Sequence, residues 1–342
     1  MDALRGNSLD SWRGLCALLV ALFHFPVVGQ ISGNEFIRHS YLFVDFFFVL
    51  SGFVIAAVQD RRPDATLPFL LKRFGRIWPM HMAVLLAFVL VSLVQGDFNA
   101  DERHSAIALI TNIFMVHSWG VHRELTWNDP SWSISVEWFL YLMFAFLAFV
   151  PWRRFVYAAL VVIAIFILFS FAPAGMGSTF DFGVARGVAG FFVGALIARA
   201  PIRDFGTWGE AVAAISVVVF VASGEAQFVA PFVFGAAVYV FAGSRGRLTS
   251  WLRSRPVQWL GERSYTAYIV HALVVAVLWH IGRALGWSSE GGRMDVGAVG
   301  DLLALPYLAG IIVVAGIAYP FEDAARKYFK VLADRRKATI PA

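Results

Sequence analysis

The sequence predicts an all-α fold, a polytopic bundle of about ten membrane-spanning helices with one short re-entrant or interfacial segment. Three observations carry this. Hydrophobic residues make up 59% of the 342-residue chain and charged residues only 15%, against about 25% charged in soluble domains, and mean hydropathy is +0.69. Long apolar runs recur between charged or Pro/Gly-rich breaks, and residues 156–171 hold no charge at all. The basic residues sit between the runs, as expected of a topology signal and of lipid headgroup contact rather than of nucleic-acid binding.

The expected spans are 14–29, 41–58, 77–94, 132–150, 155–171, 182–198, 208–223, 228–242, 264–281 and 302–319. Runs near 18 or more apolar residues suit the ~30 Å hydrocarbon layer at ~1.5 Å rise per residue. A shorter run at 106–116 needs a separate decision. Basic clusters stand at Arg61 to Arg76, at Arg153 and Arg154, at Arg199 and Arg203, at Arg245 to Arg263, and at Arg326 to Lys337. Loops rich in Lys and Arg stay cytoplasmic. If 106–116 crossed the membrane, every cluster after the first would face the opposite side; if it does not cross, all face inside. The run is therefore read as non-crossing, with both termini cytoplasmic and 95–130 as an extracytoplasmic segment.

One membrane domain is expected over 1–342, with a core at 13–322 and a cytoplasmic tail at 323–342. No long internal repeat and no convincing signal-peptide cleavage site are visible. The single cysteine, Cys16, excludes an intramolecular disulfide framework. No His/Cys pair has metal-ligand spacing, so no metal is expected.

Ionisable groups within spans are costly and mark candidate sites. Arg13 and His24 lie eleven positions apart on the first helix, about 16 Å of rise, with Arg13 at the cytoplasmic face and His24 deeper. Histidine is the natural general base near neutral pH; packing against a neighbouring helix is the alternative. Asp45 begins the second helix, and Ser51-Gly52 follows. Small residues there read first as a close helix approach and second as a nucleophile. Arg73 and Arg76 share a helix face, suited to phosphate or to positive-inside anchoring. Ser131 is placed to cap the fourth helix, and Trp132, Ser133, Ser135 and Glu137 open it; Arg186 is one candidate partner for Glu137. Ser264, Tyr265, Tyr268 and His271 form a polar stripe, with tyrosine anchoring as the bland reading. His39, His104, His117, His122 and His280 are read as loop or interface residues, and His81 is left undecided.

Together these residues resemble acyltransferase family 3, the O-antigen acetylase type. The resemblance rests on Arg13 with ten residues before His24, Phe47-Phe-Val-Leu-Ser-Gly-Phe53, Arg73-x-x-Arg76, Ser131-Trp-Ser-x-Ser-Val-Glu137 and Ser264-Tyr-x-x-Tyr-x-x-His271, in the family's order. Phe321-Glu322 before Arg326-Lys327 also fits, although the proline often found between them is replaced by Asp323-Ala-Ala. The resemblance implies transfer of an acyl group, usually acetyl from acetyl-CoA, to a hydroxyl of a carbohydrate, glycolipid or related acceptor, with the chain in the lipid bilayer of a bacterial inner membrane. It implies acyl-CoA contacts at Arg13, Arg73, Arg76, Ser51, Tyr268 and His271. Asp45, Trp132, Ser133 and Ser135 would meet the acceptor. His24 would be the general base, with Glu137 orienting it or sharing the proton. Direct transfer and an acyl-protein intermediate on His24 or Ser51 are both open. A proton-coupled transporter or flippase is the rival class, and a membrane scaffold a weaker third.

Overall fold

The computed structural model describes residues 8–290 and 292–338. In chain order the helices are α1 (Ser8–Phe23), α2 (Gln30–Gly33), α3 (Glu35–Arg38), α4 (Phe43–Arg61), α5 (Thr66–Gln95), α6 (Ala106–Ile113), α7 (Trp132–Leu147), α8 (Arg153–Phe171), α9 (Gly183–Ile197), α10 (Gly206–Ser223), α11 (Ala230–Gly243), α12 (Arg247–Leu252), α13 (Arg255–Glu262), α14 (Ser264–Ala284) and α15 (Ala304–Ala338). A two-stranded antiparallel hairpin, β1 (Ser288–Glu290) and β2 (Arg293–Asp295), lies between the last two helices. The chain is an all-α membrane-helix bundle. Among the described residues, seven helices are long and apolar enough to cross a membrane, and two shorter apolar ones lie at Gly183–Ile197 and Gln227–Gly243. Each of the ten expected runs overlaps a helix, the first of them, 14–29, only as far as Phe23. Their outward faces are greasy: Phe169 is 73% exposed and Val94 88%, a surface that lipid covers and water does not.

Three details differ from the sequence reading. The first helix already runs at Ser8, where the described residues begin, ahead of the expected span, and Ser8 and Ser11 hand their hydroxyl protons to the carbonyls of Phe241 and Leu252. It ends at Phe23, so His24 follows the last helical residue; Pro26 pushes the residue before it out of the helical region. Helix α15 runs through Pro320 to Ala338, and residues 323–338 continue it. The run at 106–116 forms α6, eight residues long, about 12 Å of rise and too short to cross.

Packing divides the chain into two compact units. The first holds residues up to Phe47 and Pro201–Ala318. Its core gathers Ala21, Phe25, Val27, Ala267, Met294, Tyr307 and Ile311. Helices α1 and α13 cross at glycine: a Cβ on Gly14 would lie 2.8 Å from Gly261 N, and one on Gly261 2.6 Å from the Asp10 carbonyl. The second unit holds Phe48–Ala200 and Tyr319–Ala342. There α4 and α9 touch backbone to backbone. A Cβ on Gly52 would sit 1.8 Å from Phe191 O, and one on Gly194 1.9 Å from Val49 O. The close-approach reading of Ser51-Gly52 is thus the structural one.

Gly194→Val forces this crossing apart and should lower stability by about 1–3 kcal/mol. Gly310→Ala has only an ordinary 3.5 Å contact with Val274 and should match or exceed the parent. Thermal challenge followed by size-exclusion chromatography of detergent-purified protein checks both.

Candidate active site

In the first unit, the α1–α13 glycine crossing places Arg13 within reach of the start of α14. Its Nε donates to Ser264 Oγ at 2.6 Å, and Asp10 stands 3.0 Å from its Nη2. At the other end of α1, Tyr307 donates to the Ala21 carbonyl at 2.8 Å. The hairpin then grips the chain just past His24: Val28 N donates to Met294 O at 2.9 Å and Met294 N to Pro26 O at 2.8 Å. The Asp301 carboxylate accepts from Gln30 N and Ile31 N at 3.0 and 2.8 Å. These contacts fix the segment that presents His24.

The His24 ring lies 4.9 Å from the His271 ring, centroid to centroid. His24 Nδ1 is 2.9 Å from the Val20 carbonyl, and His271 Nδ1 is 2.5 Å from the Tyr268 carbonyl. A carbonyl only accepts, so both Nδ1 atoms carry hydrogen. His271 is 0% exposed, and its Nε2 has no hydrogen-bond partner. Phe23 meets His24 edge-on at 4.8 Å, and Tyr268 meets both His271 and Phe47 at 5.6 Å. Asp45, expected where its charge costs less, is fully buried in the first turn of α4. Tyr265 is also buried.

The second unit builds a carboxylate cluster. Glu137 Oε1 accepts from Ser51 Oγ at 2.9 Å and from the Tyr141 hydroxyl. Arg186 is not its partner: that guanidinium donates to Ser178 O at 3.2 Å and lies over the Trp132 ring at 5.1 Å. Tyr141 was missed from sequence, although it lies one helical turn after Glu137. Arg73 acts electrostatically on Tyr141, lies 5.9 Å from the Phe69 ring and leaves its buried Nε without a hydrogen bond. Arg76 instead pairs with the buried Glu322 at 2.5 Å.

The opening of α7 also differs from expectation. Ser131 does not cap the helix; it ends a 3-10 turn with helical backbone angles, so its hydroxyl is aimed away from the helix N–H groups and meets His117 Nε2 at 3.2 Å. Ser133 donates to Pro130 O, while Ser135 donates to Met115 O and accepts from Ser118 N. Behind them stands a histidine pair that sequence reasoning did not find. His81 and His117 stack with ring planes 5° apart and centroids 5.8 Å apart, both buried. Their Nε2 atoms face the carbonyls of Asn112 and Ser131.

The comparisons with known proteins agree with these motifs. A family profile described as an acyltransferase domain, that of acyltransferase family 3, matches residues 7–322. The chain belongs to acyltransferase family 3. It is similar to Acyltransferase MdmB of Streptomyces mycarofaciens, 25% identical over 94% of this chain and 86% of that protein. It is also similar to Protein 2 in picA locus of Rhizobium radiobacter, 30% identical over 39% of this chain and 74% of that one. No solved structure matches. The protein is an integral membrane acyltransferase.

Two outcomes follow for this family member. Arg76→Ala strands the Glu322 carboxylate, 1% exposed, and should cost about 3–5 kcal/mol, much of it recovered by adding Glu322→Ala. A role for Arg76 mainly in donor binding would instead raise the donor KM at unchanged stability. Burial first, and the His81 charge second, hold the His117 imidazole well below its usual range. The unfolded chain therefore binds the proton more readily, and stability falls as pH drops below about 6.5. Melting temperatures taken from about pH 7 to about pH 5 should decline, and less steeply in His117→Gln.

Proposed function

We propose that this acyltransferase is an O-acyltransferase that moves an acyl group, acetyl by default, from cytoplasmic acyl-CoA to a hydroxyl of a carbohydrate or glycolipid acceptor. The observation that carries the reading is the tether of His24 Nδ1 to the Val20 carbonyl, which orients the ring and makes Nε2 the nitrogen through which it would act as a base. His24 Nε2 takes the acceptor's hydroxyl proton. The oxygen attacks the thioester carbonyl carbon, the C–O bond forms and the C–S bond breaks. The CoA thiolate then takes the proton back from the imidazolium, and the products are the ester and free CoA. Atoms and charge balance with no further reactant.

The donor's phosphates call for cations with uncommitted N–H groups. Arg73 Nε has no hydrogen bond, whereas Arg13 and Arg76 each already face a carboxylate. We therefore assign the leading phosphate contact to Arg73. Glu137, fed by the Ser51 and Tyr141 hydroxyls, is suited to take the Ser51 proton. Ser51 is thus the candidate carrier if transfer runs in two steps.

With acetyl-CoA as donor and membrane extract as acceptor, His24→Ala should abolish acceptor-dependent CoA release while the protein stays folded in the membrane. Full activity would end the assignment. Arg73→Ala should raise the KM for acetyl-CoA about tenfold with little change in kcat, a loss of about 1.4 kcal/mol in binding. Ser51→Ala should abolish transfer only in a two-step path. Mass spectrometry of cellular glycans with and without the gene identifies the acceptor.

A further inference from the structure

Several basic residues of this chain meet carboxylates, as Arg76 meets Glu322 and Arg153 meets Asp60. The stretch from Arg245 to Arg263 differs. It holds five arginines and one acid, Glu262, which stands 3.3 Å from Arg263. Arg247, Arg253 and Arg255 are exposed, and among the described residues their side chains meet no acid and no hydrogen-bond acceptor. The sequence here is also regular: Arg247, Trp251, Arg255, Trp259 and Arg263 recur at every fourth position. Residues four apart share one helix face. Helix α12 therefore carries Arg247 and Trp251 one turn apart, and α13 carries Arg255 and Trp259 in the same way. Trp251 is 52% exposed and Trp259 38%, so each short helix shows one guanidinium beside one indole.

A topology signal needs only charge in a loop, whereas this loop is built. The buried Glu210 carboxylate accepts from Gly246 N, Leu248 N and Thr249 N at 2.8, 2.9 and 3.2 Å. Ser11 donates to the Leu252 carbonyl at 2.6 Å, and Gly261 lies against the α1 backbone. Depth is fixed as well. A Cβ on Gly316 would lie 3.5 Å from the Trp259 indole, and Gly316 stands close to the end of the apolar run at 302–319. Helix α14, with its own apolar run, starts directly after α13. The two short helices thus lie at the level where spans leave the hydrocarbon. At that level an indole settles at the headgroup boundary, and a guanidinium matches phosphate oxygens. Arg263 completes the set, its guanidinium 4.1 Å from the centre of the Trp259 ring, a cation–π contact.

We propose that α12 and α13 form a docking surface for acidic phospholipid headgroups. Trp251 and Trp259 seat it in the interface, and Arg247, Arg253 and Arg255 take the phosphates. Charge complementarity selects the occupant. A zwitterionic headgroup carries an ammonium that repels the arginines, whereas the phosphate of phosphatidylglycerol is uncompensated. The phosphates of acyl-CoA share this chemistry, but the exposed indoles beside the arginines suit a lipid boundary and have no counterpart in a contact with a soluble donor.

The test uses the whole detergent-purified chain and phosphatidylglycerol with a diazirine near the top of one acyl chain, so that the headgroup stays native. After illumination, peptide mapping by mass spectrometry locates the label. In the parent protein it should fall on residues 245–263, exceed the label from the matching phosphatidylcholine probe about tenfold, and fade as NaCl rises from about 0.05 to about 0.5 M. Each arginine near an anionic lipid is worth about fivefold in affinity. The combined variant Arg247→Gln, Arg253→Gln and Arg255→Gln should therefore lose about tenfold or more of the label. Lysine at the same three positions should keep most of it. Equal labelling by the two lipids in the parent, or a phosphatidylglycerol label that lands elsewhere, overturns the proposal without any variant. A label unchanged by the three glutamines overturns it too. Protection of residues 245–263 by CoA, with CoA binding lost in the glutamine variant, overturns it and gives these arginines to the donor's phosphates. None of these readouts involves acyl transfer, so they stand whether or not the proposed reaction does.

Discussion

Hydrocarbon offers a buried polar group no water, and much of the chemistry in this protein follows from that constraint. Each intramembrane imidazole settles one nitrogen on a backbone carbonyl, and the carbonyl thereby fixes which nitrogen keeps its lone pair. The outcome is opposite in the two units. In the first, Val20 and Tyr268 engage Nδ1 of His24 and His271. In the second, Asn112 and Ser131 engage Nε2 of His81 and His117 and leave Nδ1. Neighbouring rings in both units are therefore oriented alike, each with the same nitrogen turned to the backbone. The difference lies in their setting: His24 sits where α1 ends and the hairpin takes over, whereas His81 and His117 lie within a buried polar cluster shared with Ser131 and Asn112.

The same constraint arranges the cations. Positive-inside anchoring alone would leave Lys and Arg as independent charges at the lipid boundary. Here several are paired within their unit. Asp60 holds Arg153 and Arg199, Lys72 bridges Asp64 and Asp334, and Arg76 meets Glu322. The last two pairings draw the charged end of α15 onto the start of α5, and Gly75 lets the Phe329 ring lie against the α5 backbone. Pairing removes these groups from ligand chemistry and makes the unpaired Nε of Arg73 informative.

The helices were legible because apolar runs of membrane length have no other stable home. The short α6 was legible from the placement of arginines around it. Ends were harder, since they depend on partners far along the chain. Ser8 and Ser11 anchor this stretch of α1 by bonding to carbonyls more than two hundred residues away. In the candidate site, His24, His271, Glu137, Ser51 and Arg73 could be picked out as polar residues in costly positions. Their pairings could not. Arg186 and Glu137 were an attractive match by charge, but Arg186 found a carbonyl and an aromatic face instead. Glu322 was visible as a motif residue, while its bond to Arg76 spans 246 positions. His81 with His117 gave no signal, because a stacked pair between a helix and a loop follows no helical period.

The company of Glu137 has a chemical consequence. An arginine partner would fix the carboxylate's charge and make a structural ion pair of it. Two hydroxyls donating to one oxygen orient the carboxylate instead, and Ser51 directs its proton there. Arg73 acts electrostatically on Tyr141 in the same cluster. A carboxylate held by two hydroxyls suits the proposed exchange of a proton with Ser51 better than an ion pair would.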